Sequence, residues 1–249
     1  MRGVRYDGVS AESLAGVLDL PRVVLFDVVG STLDVAHELA AAGAPAGTLV
    51  LADAQSAGRG RNGKAWSSAA AAGVWLTIIE RPRDAAALQV LSIRLGLRVS
   101  AVLKRWAPSP VRVKWPNDLY VSEGKIAGIL VESRMREEHV DWVAIGVGVN
   151  VRAPEGVGTA AAALREETDR LELLAELVPA IRSAASATGV LSPKELEQWQ
   201  SRDLARGRRC SAPANGRVVG INEVGSLLVD RDGMLLECRA GSLVLESES

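Results

Sequence analysis

The chain has 249 residues, of which 48% are hydrophobic and 24% charged, and its formal net charge is −1. These values are typical of a globular protein of one or two domains, and they exclude a general basic field for nucleic acid or acidic membranes. No stretch reaches the ~18 uninterrupted apolar residues of a membrane span, and the N-terminus has no apolar signal-peptide core. Cys210 and Cys238 lack metal-type spacing, so we expect reduced thiols in a cytoplasmic protein.

The first half of the chain alternates helical and strand patterns. Short helices are predicted at 10–18 and after Gly30-Ser31-Thr32, where a hydroxyl residue can cap the helix. Asp84 is predicted to cap one long helix that runs to about Trp106. β-Branched and apolar runs predict strands at 22–29, 48–53 and 73–80.

The second half begins with a strand pattern at 111–121, which Pro116 interrupts so that Asn117 and Asp118 form a tight corner. Further elements are predicted as a strand at 126–132, a strand at 141–151, a loop at 153–167, and helices at 168–188 and 193–205. Gly128, inside the first of these strands, indicates a bulge or a close approach by another molecule.

From about residue 206, short alternating segments are separated by turns that include the hairpin dipeptides Asn215-Gly216 and Asp232-Gly233. Five short strands are predicted at 208–214, 217–221, 226–229, 234–238 and 243–246. This pattern predicts a small C-terminal β-barrel.

The most distinctive stretch is the segment from Asp53 to Trp66, which contains Gly58-Arg59-Gly60-Arg61. Glycines allow a ligand close to the backbone, and arginines bind phosphates and carboxylates. Trp66 offers a flat face for a nucleobase. The segment therefore predicts a loop over a phosphate-bearing anion, although a solvated basic turn remains open from these residues alone. Ser31 and Thr32 likewise either bind a polar ligand or simply cap their helix.

Other polar residues interrupt the apolar strands. They supply further cationic side chains and one acidic side chain, Asp118. Arg59, Arg61, Lys114 and Lys125 suit an enzyme that holds two anions together, and Asp118 with Asn117 can place Mg²⁺ beside phosphate oxygens. We find no Walker-A lysine, no His/Cys metal cluster and no Ser-His-Asp motif. His37 and His139 are interpreted as structural or surface residues.

Taken in order, five motifs resemble those of the biotin protein ligases, from about Arg22 to the end of the chain. They are Gly30-Ser-Thr32, Gln55-x-x-Gly-Arg-Gly-Arg-x-Gly-x-x-Trp66, Lys114-Trp-Pro-Asn-Asp118, Lys125-x-x-Gly-Ile-Leu-x-Glu132 and Gly146-Val-Gly-Val-Asn150. The resemblance implies an α+β fold with a mixed central sheet, like class II aminoacyl-tRNA synthetases, and a C-terminal SH3-like barrel. It implies a short extension at 1–20, a catalytic domain at 21–205 and the barrel at 206–249.

The resemblance also implies a role for each matching residue. Biotin would be bound by Ser31, Thr32, Gln55, Gly58, Arg59, Gly60, Arg61, Lys125 and Gly128. The nucleotide would be bound by Arg61, Trp66, Lys114, Asn117 and Asn150, with Asp118 as the Mg²⁺ ligand. Arg61, Lys114 and Lys125 would act in catalysis. Leu33 and Ser67 depart from the family pattern, which puts one polar contact and part of the adenine cover in question.

The implied reaction joins biotin to a lysine of the biotin carboxyl carrier protein of acetyl-CoA carboxylase or another biotin-dependent carboxylase. It consumes ATP, requires Mg²⁺ and passes through biotinyl-5′-AMP. Three alternatives stay open: a lipoate-type acyl ligase, a biotin-sensing repressor and a non-catalytic carrier-binding module. We expect no DNA binding, because about twenty residues before the first strand are too few for a winged helix. A homodimer is compatible with the resemblance.

Overall fold

The computed structural model describes residues 3–82, 84–122, 124–137, 139–154 and 161–246. Its strands are Arg5–Tyr6 (β1), Val9–Ser10 (β2), Arg22–Val29 (β3), Thr48–Gln55 (β4), Gly73–Glu80 (β5), Val111–Lys114 (β6), Asp118–Val121 (β7), Gly124–Arg136 (β8), His139–Asn150 (β9), Arg209–Ala212 (β10), Gly216–Ile221 (β11), Leu227–Arg231 (β12), Met234–Cys238 (β13) and Val244–Leu245 (β14). Its helices are Ala11–Val17 (α1), Thr32–Ala41 (α2), Ala85–Gln89 (α3), Leu91–Leu103 (α4), Arg170–Ala185 (α5) and Pro193–Arg202 (α6), with a 3₁₀ turn at Arg61–Gly63.

The central sheet has the strand order β3-β4-β5-β9-β8-β7-β6. β3 and β4 are parallel and the remaining neighbours are antiparallel, so the sheet is mixed, as expected for the α+β class. The β1–β2 hairpin lies in the segment that the sequence assigned to a plain N-terminal extension.

Both faces of the inner strands are covered, which explains their continuous apolar runs. Successive residues point to opposite faces, so Leu49 and Ile78 join the large core with α4 and α5, while Val50 and Ile79 pack against α2. The face that carries α2 is the one on which the candidate site lies.

The single helix that the sequence predicts from Asp84 to about Trp106 consists of two helices, α3 and α4. Asp84 caps α3 through Ala86 and Ala87, as expected, but the backbone leaves helical geometry at Val90, with φ −102° and ψ 4°. α4 therefore begins at Leu91 without a side-chain cap, and Val90 itself is fully buried. The apolar pattern carried no signal for this break, because Val90 continues the buried stripe of the helix.

The C-terminal strands form a separate antiparallel sheet in the order β13-β12-β11-β10-β14. Asp232 and Gly233 have φ of 52° and 86°, which is the two-residue hairpin geometry predicted for this dipeptide. No pairing between β13 and β14 closes a barrel within the described residues, so the predicted closure is not found. The proposed domain boundary at residue 206 remains a prediction.

Two further expectations concern the loop at 153–167 and membrane spans. Residues 155–160 of the predicted loop lie outside the described residues, and most of the remainder is irregular. Within the part of the chain that the structure describes, no helix is long and apolar enough to cross a membrane.

Candidate active site

A cavity of about 1110 Å³ opens between α2, the central sheet, the Gly58–Trp66 loop and the C-terminal sheet. It collects all but one of the residues that the sequence assigned to the site, namely Ser31, Thr32, Gln55, Arg59, Gly60, Arg61, Trp66, Lys114, Asn117, Asp118, Lys125, Gly128 and Asn150. The exception is Gly58, whose carbonyl accepts a hydrogen bond from the Trp66 backbone N–H at 2.8 Å. Gly58 thus shapes the loop without lining the cavity.

Glycines on the α2 face of the sheet make room for a large side chain of the loop. Gly128 and Gly148 are direct partners across β8 and β9, and the indole of Trp66 lies over both. A Cβ atom would come within 2.8 Å of the indole at Gly128 and within 2.6 Å at Gly148. The bulge expected at Gly128 is confirmed by the register shift opposite Leu119 and Tyr120. The group that approaches Gly128 closely is the chain's own Trp66, rather than another molecule.

Trp66 therefore lies against the floor of the cavity. Its ring meets the edge of Trp75 at a centroid distance of 6.5 Å, and the Lys125 ammonium is 4.9 Å from its centroid. The indole N–H is buried and has no hydrogen-bond partner among the described residues. An unpaired buried donor is unfavourable, so the indole gains if a ligand atom or a loop movement satisfies it.

At the helix end of the cavity, Gln55 organises a hydrogen-bonded cluster. Its Oε1 accepts from the Thr32 backbone N–H at 2.8 Å and from the Thr32 hydroxyl at 3.1 Å, while its Nε2 donates to Ser68 Oγ at 2.8 Å. Thr77 Oγ1 lies 2.9 Å from the Thr32 hydroxyl. Ser31 accepts from the Leu33 N–H at 3.3 Å, so it does cap α2. Its O–H hydrogen is still available as a donor.

The Leu33 departure has a visible consequence in the cavity. The Leu33 side chain is buried, and it would lie 3.5 Å from a Cβ atom at Gly146. The wall at this position is therefore apolar, and the Leu33 backbone N–H is already used by Ser31.

At the other end, cations cluster around one acid. Lys125 Nζ lies 2.7 Å from Asp118 Oδ1, and β7 pairs Asp118 with Lys114 of β6 on one side and Gly128 of β8 on the other. Burial lowers the pKa of Lys114, and the neighbouring cations Lys125, Arg208 and Lys64 lower it further, although Asp118 opposes them. Excess positive charge of this kind makes the site favourable for an anion.

Asn117 and Asn150 hold the backbone of the site. Asn117 donates to the Ile129 carbonyl at 2.6 Å, and its Oδ1 lies 3.4 Å from Arg61 Nη1. Asn150 is 3% exposed and donates to the carbonyls of Lys125 and Ala162 at 3.2 and 3.1 Å. Both amides thus fix the strand that presents Lys125.

Arg59 lines the cavity but directs its guanidinium to its outside. Arg59 Nη2 lies 3.0 Å from Asp34 Oδ1 on α2 and 3.0 Å from Glu132 Oε2 on β8. The sequence motif located this residue, but it could not show which way the side chain turns.

Several lining residues were missed by the sequence reasoning. Thr77 was detectable as a polar residue within an apolar strand. Ser68 does not line the cavity but accepts a hydrogen bond from Gln55, and no sequence pattern indicated this role. Lys64 lies in the Gly58–Trp66 loop and lines the cavity, but no site role was predicted for it. Arg208 and Leu243–Glu246 come from the C-terminal region, whose strand pattern gave no indication that it borders the cavity.

A metal site made of protein ligands alone does not fit these residues. Within the described residues, no group of three His, Cys, Asp or Glu side chains could hold a metal ion. Asp118 supplies one carboxylate, which suits Mg²⁺ when substrate phosphates provide most of its other ligands.

Comparisons with known proteins agree with this geometry. The family model described as "Biotin/lipoate A/B protein ligase family" matches residues 25–150. The chain is 33% identical over 226 residues to "Bifunctional ligase/repressor BirA" of Bacillus subtilis, covering 84% of this chain and 69% of that protein. It is 32% identical over 238 residues to "Biotin--[acetyl-CoA-carboxylase] ligase" of Mycobacterium tuberculosis, covering 88% of each.

Among solved structures, a biotin protein ligase from Aquifex aeolicus, described in complex with biotin and ATP, superposes with a TM-score of 0.75 at 26% identity. The superposition covers 92% of this chain and all of that one. The motif order, the fold and these similarities agree, so the chain is a ligase and belongs to the Biotin/lipoate A/B protein ligase family.

Proposed function

We propose that the protein attaches biotin to a lysine of a biotin carboxyl carrier protein in the cytoplasm, with ATP as the energy source and biotinyl-5′-AMP as the intermediate. The observation that carries the proposal is one cavity with two different ends. The Ser31–Thr32–Gln55 end is neutral and rich in hydrogen-bonding groups, and the Lys114–Lys125 end is cationic. A ligand with a polar head, an apolar middle and an anionic tail fits such a cavity.

Biotin has this shape. Its ureido ring would exchange hydrogen bonds with Ser31, Thr32 and Gln55, and its apolar chain would run over the Trp66 indole, which covers Gly128. Its carboxylate would then reach Lys125. Relatives named as biotin ligases support biotin over lipoate as the substrate.

The first half-reaction forms a mixed anhydride. The biotin carboxylate oxygen attacks the α-phosphorus of ATP, a P–O bond forms, and the bond to the pyrophosphate leaving group breaks. The carboxylate and the phosphate are both negatively charged and repel each other. Cations must therefore neutralise their charges as the two groups approach. Lys125, Lys114 and Arg61, which line the cationic end of the cavity, would do so. The pKa of Lys114 is lowered mainly by burial and further by the neighbouring cations, and a bound anion would offset the second effect. Mg²⁺, held by Asp118 and the phosphates, would supply further charge neutralisation.

The second half-reaction needs no enzyme nucleophile. A neutral carrier lysine attacks the anhydride carbonyl, an amide forms, AMP leaves and the amine proton passes to solvent or to a phosphate oxygen. The Gly58–Trp66 loop would cover the adenylate between the two steps and keep water away.

The direct test is to mix the protein with ATP, Mg²⁺, biotin and a carboxyl-carrier domain, and to probe the carrier with streptavidin. Labelling that depends on all components and on the carrier lysine is expected. Competition between biotin and lipoate in the ATP–pyrophosphate exchange assay distinguishes a biotin ligase from a lipoate-type ligase. Exchange that responds to lipoate and not to biotin would reassign the substrate.

Replacing Arg61 by Ala tests the loop. Arg61 bonds Asn117 only at 3.4 Å, so it is free to turn to the adenylate, and its loss removes one charged contact. We expect roughly tenfold faster adenylate release, the scale of one hydrogen bond to a charged group, and biotin on proteins other than the carrier. Streptavidin blots of a protein mixture measure the biotin attached to proteins other than the carrier. If Arg61→Ala retains the adenylate and selects the carrier as well as the wild-type protein does, Arg61 has no role in the lid.

A further inference from the structure

The loop carries a second set of contacts that the proposed reaction does not use. Arg59 Nη2 lies 3.0 Å from both Asp34 Oδ1 and Glu132 Oε2. Asp34 stands in the first turn of α2, where the helix dipole also favours a negative charge. Glu132 lies on β8 opposite Ala144, beyond the part of the strand that borders the cavity. These contacts tie the loop to the scaffold from outside the cavity.

Glu132 is itself held in place. His37 Nε2 lies 2.9 Å from the same Oε2, and Trp142 Nε1 donates to His37 Nδ1 at 2.9 Å. An indole N–H can only donate, so Nδ1 is the acceptor and the imidazole proton lies on Nε2, which donates to Glu132. His37 therefore orients the carboxylate toward Arg59. These two hydrogen bonds confirm the structural alternative of the sequence prediction for His37.

We propose that Asp34, Arg59 and Glu132 form a latch that sets how long the loop stays closed, and that His37 is a positioning residue acting through Glu132. The inference rests on the lid role proposed for the loop. The side chains of Arg59, Asp34 and Glu132 are 38%, 56% and 31% exposed, so water and salt weaken the pairs. A latch of this strength changes loop opening several-fold, which suits a loop that must open in every turnover.

The test removes the latch charges without touching a residue placed in the cavity. Asp34→Asn with Glu132→Gln keeps the shapes, and Glu38→Gln is the matched control on the exposed side of the same helix. We expect the double variant to release preformed adenylate about three- to fivefold faster at low salt, with unchanged ATP–pyrophosphate exchange. The difference should shrink in 1 M NaCl, because salt screens the wild-type pairs.

His37 is tested by replacement and rescue. His37→Leu removes the donor to Glu132 and should speed adenylate release about twofold, whereas His37→Gln keeps a donor and should restore most of the wild-type rate. Equal rates for the Leu and Gln variants would overturn the positioning role.

A ligand-free measurement separates this inference from the proposed function. Backbone amide hydrogen exchange at residues 58–66 should be about three- to fivefold faster in the double variant than in Glu38→Gln and wild-type protein. If the double variant exchanges at the wild-type rate, the latch is wrong even where the enzyme is active. If wild-type protein shows no biotin-dependent pyrophosphate exchange, the proposed function fails, and loop exchange still decides the latch.

Discussion

Replacing Lys125 by Ala should abolish most adenylate formation, with ATP–pyrophosphate exchange reduced about 10²- to 10³-fold. The Lys125 ammonium lies 2.7 Å from Asp118 and 4.9 Å from the Trp66 ring, so it occupies the border between the two ends of the cavity. A carboxylate and a phosphate meet at this point in the proposed reaction. Without Lys125, the nearest acid, Asp118, would repel both.

Two further variants make the Lys125 result interpretable. Lys125→Met keeps the length and apolar stem of the side chain, so it should fail as badly as Lys125→Ala if charge is the cause. Lys194→Ala removes an exposed cation from α6 and should leave the exchange unchanged. Near-normal exchange in Lys125→Ala would show that its charge is not needed for the first half-reaction.

The second large effect is expected at a glycine. A Cβ atom at Gly148 would lie 2.6 Å from Trp66 Nε1 and 2.7 Å from Cε2, and the rigid indole cannot yield by rotating its far end. Gly148→Ala should therefore lift Trp66 from the floor and displace Lys125 with it. Overpacking of this kind costs about 1–3 kcal/mol. Borne fully by the biotin complex, this cost lowers biotin affinity roughly 5- to 150-fold.

The matched control is Gly146→Ala, on the same strand and the same face. Its Cβ atom would lie 3.5 Å from the Leu130 carbonyl and the Leu33 side chain, which is ordinary contact. Both substitutions reduce backbone freedom in the unfolded chain by a similar amount. Titration calorimetry with biotin compares them, and equal losses of affinity in the two variants would contradict a specific clash with Trp66.

Most of the strand and helix pattern was predictable because local signals were strong. The apolar runs of β4, β5 and β9 and the hydroxyl cap at Ser31 each follow from a short stretch of sequence. The break at Val90 was not predictable, since an apolar residue continues the helical stripe through it. Barrel closure was expected from strand number, but closure depends on edge pairing that strand patterns do not encode.

The motifs predicted most of the residues that come together in the cavity, but not the contacts that these residues make. The motifs located Gln55, Arg59 and Trp66 correctly within the cavity. The Gln55–Thr32 bond joins residues 23 positions apart, and the Arg59–Glu132 pair joins residues 73 apart, so tertiary packing decides both. Arg59 in particular was expected to bind the ligand, and its guanidinium is engaged outside the cavity.

The cavity depends on pairing between strands that are far apart in the sequence. β5 pairs with β9 through Gly73 and Asn150, which lie 77 positions apart in the chain, and such distant pairings form slowly during folding. The cavity wall is completed by Arg208 and Leu243–Glu246. A chain still emerging from the ribosome therefore has no finished chamber. In the proposed reaction, a chain that lacks this wall would therefore hold its adenylate less well than the complete fold does.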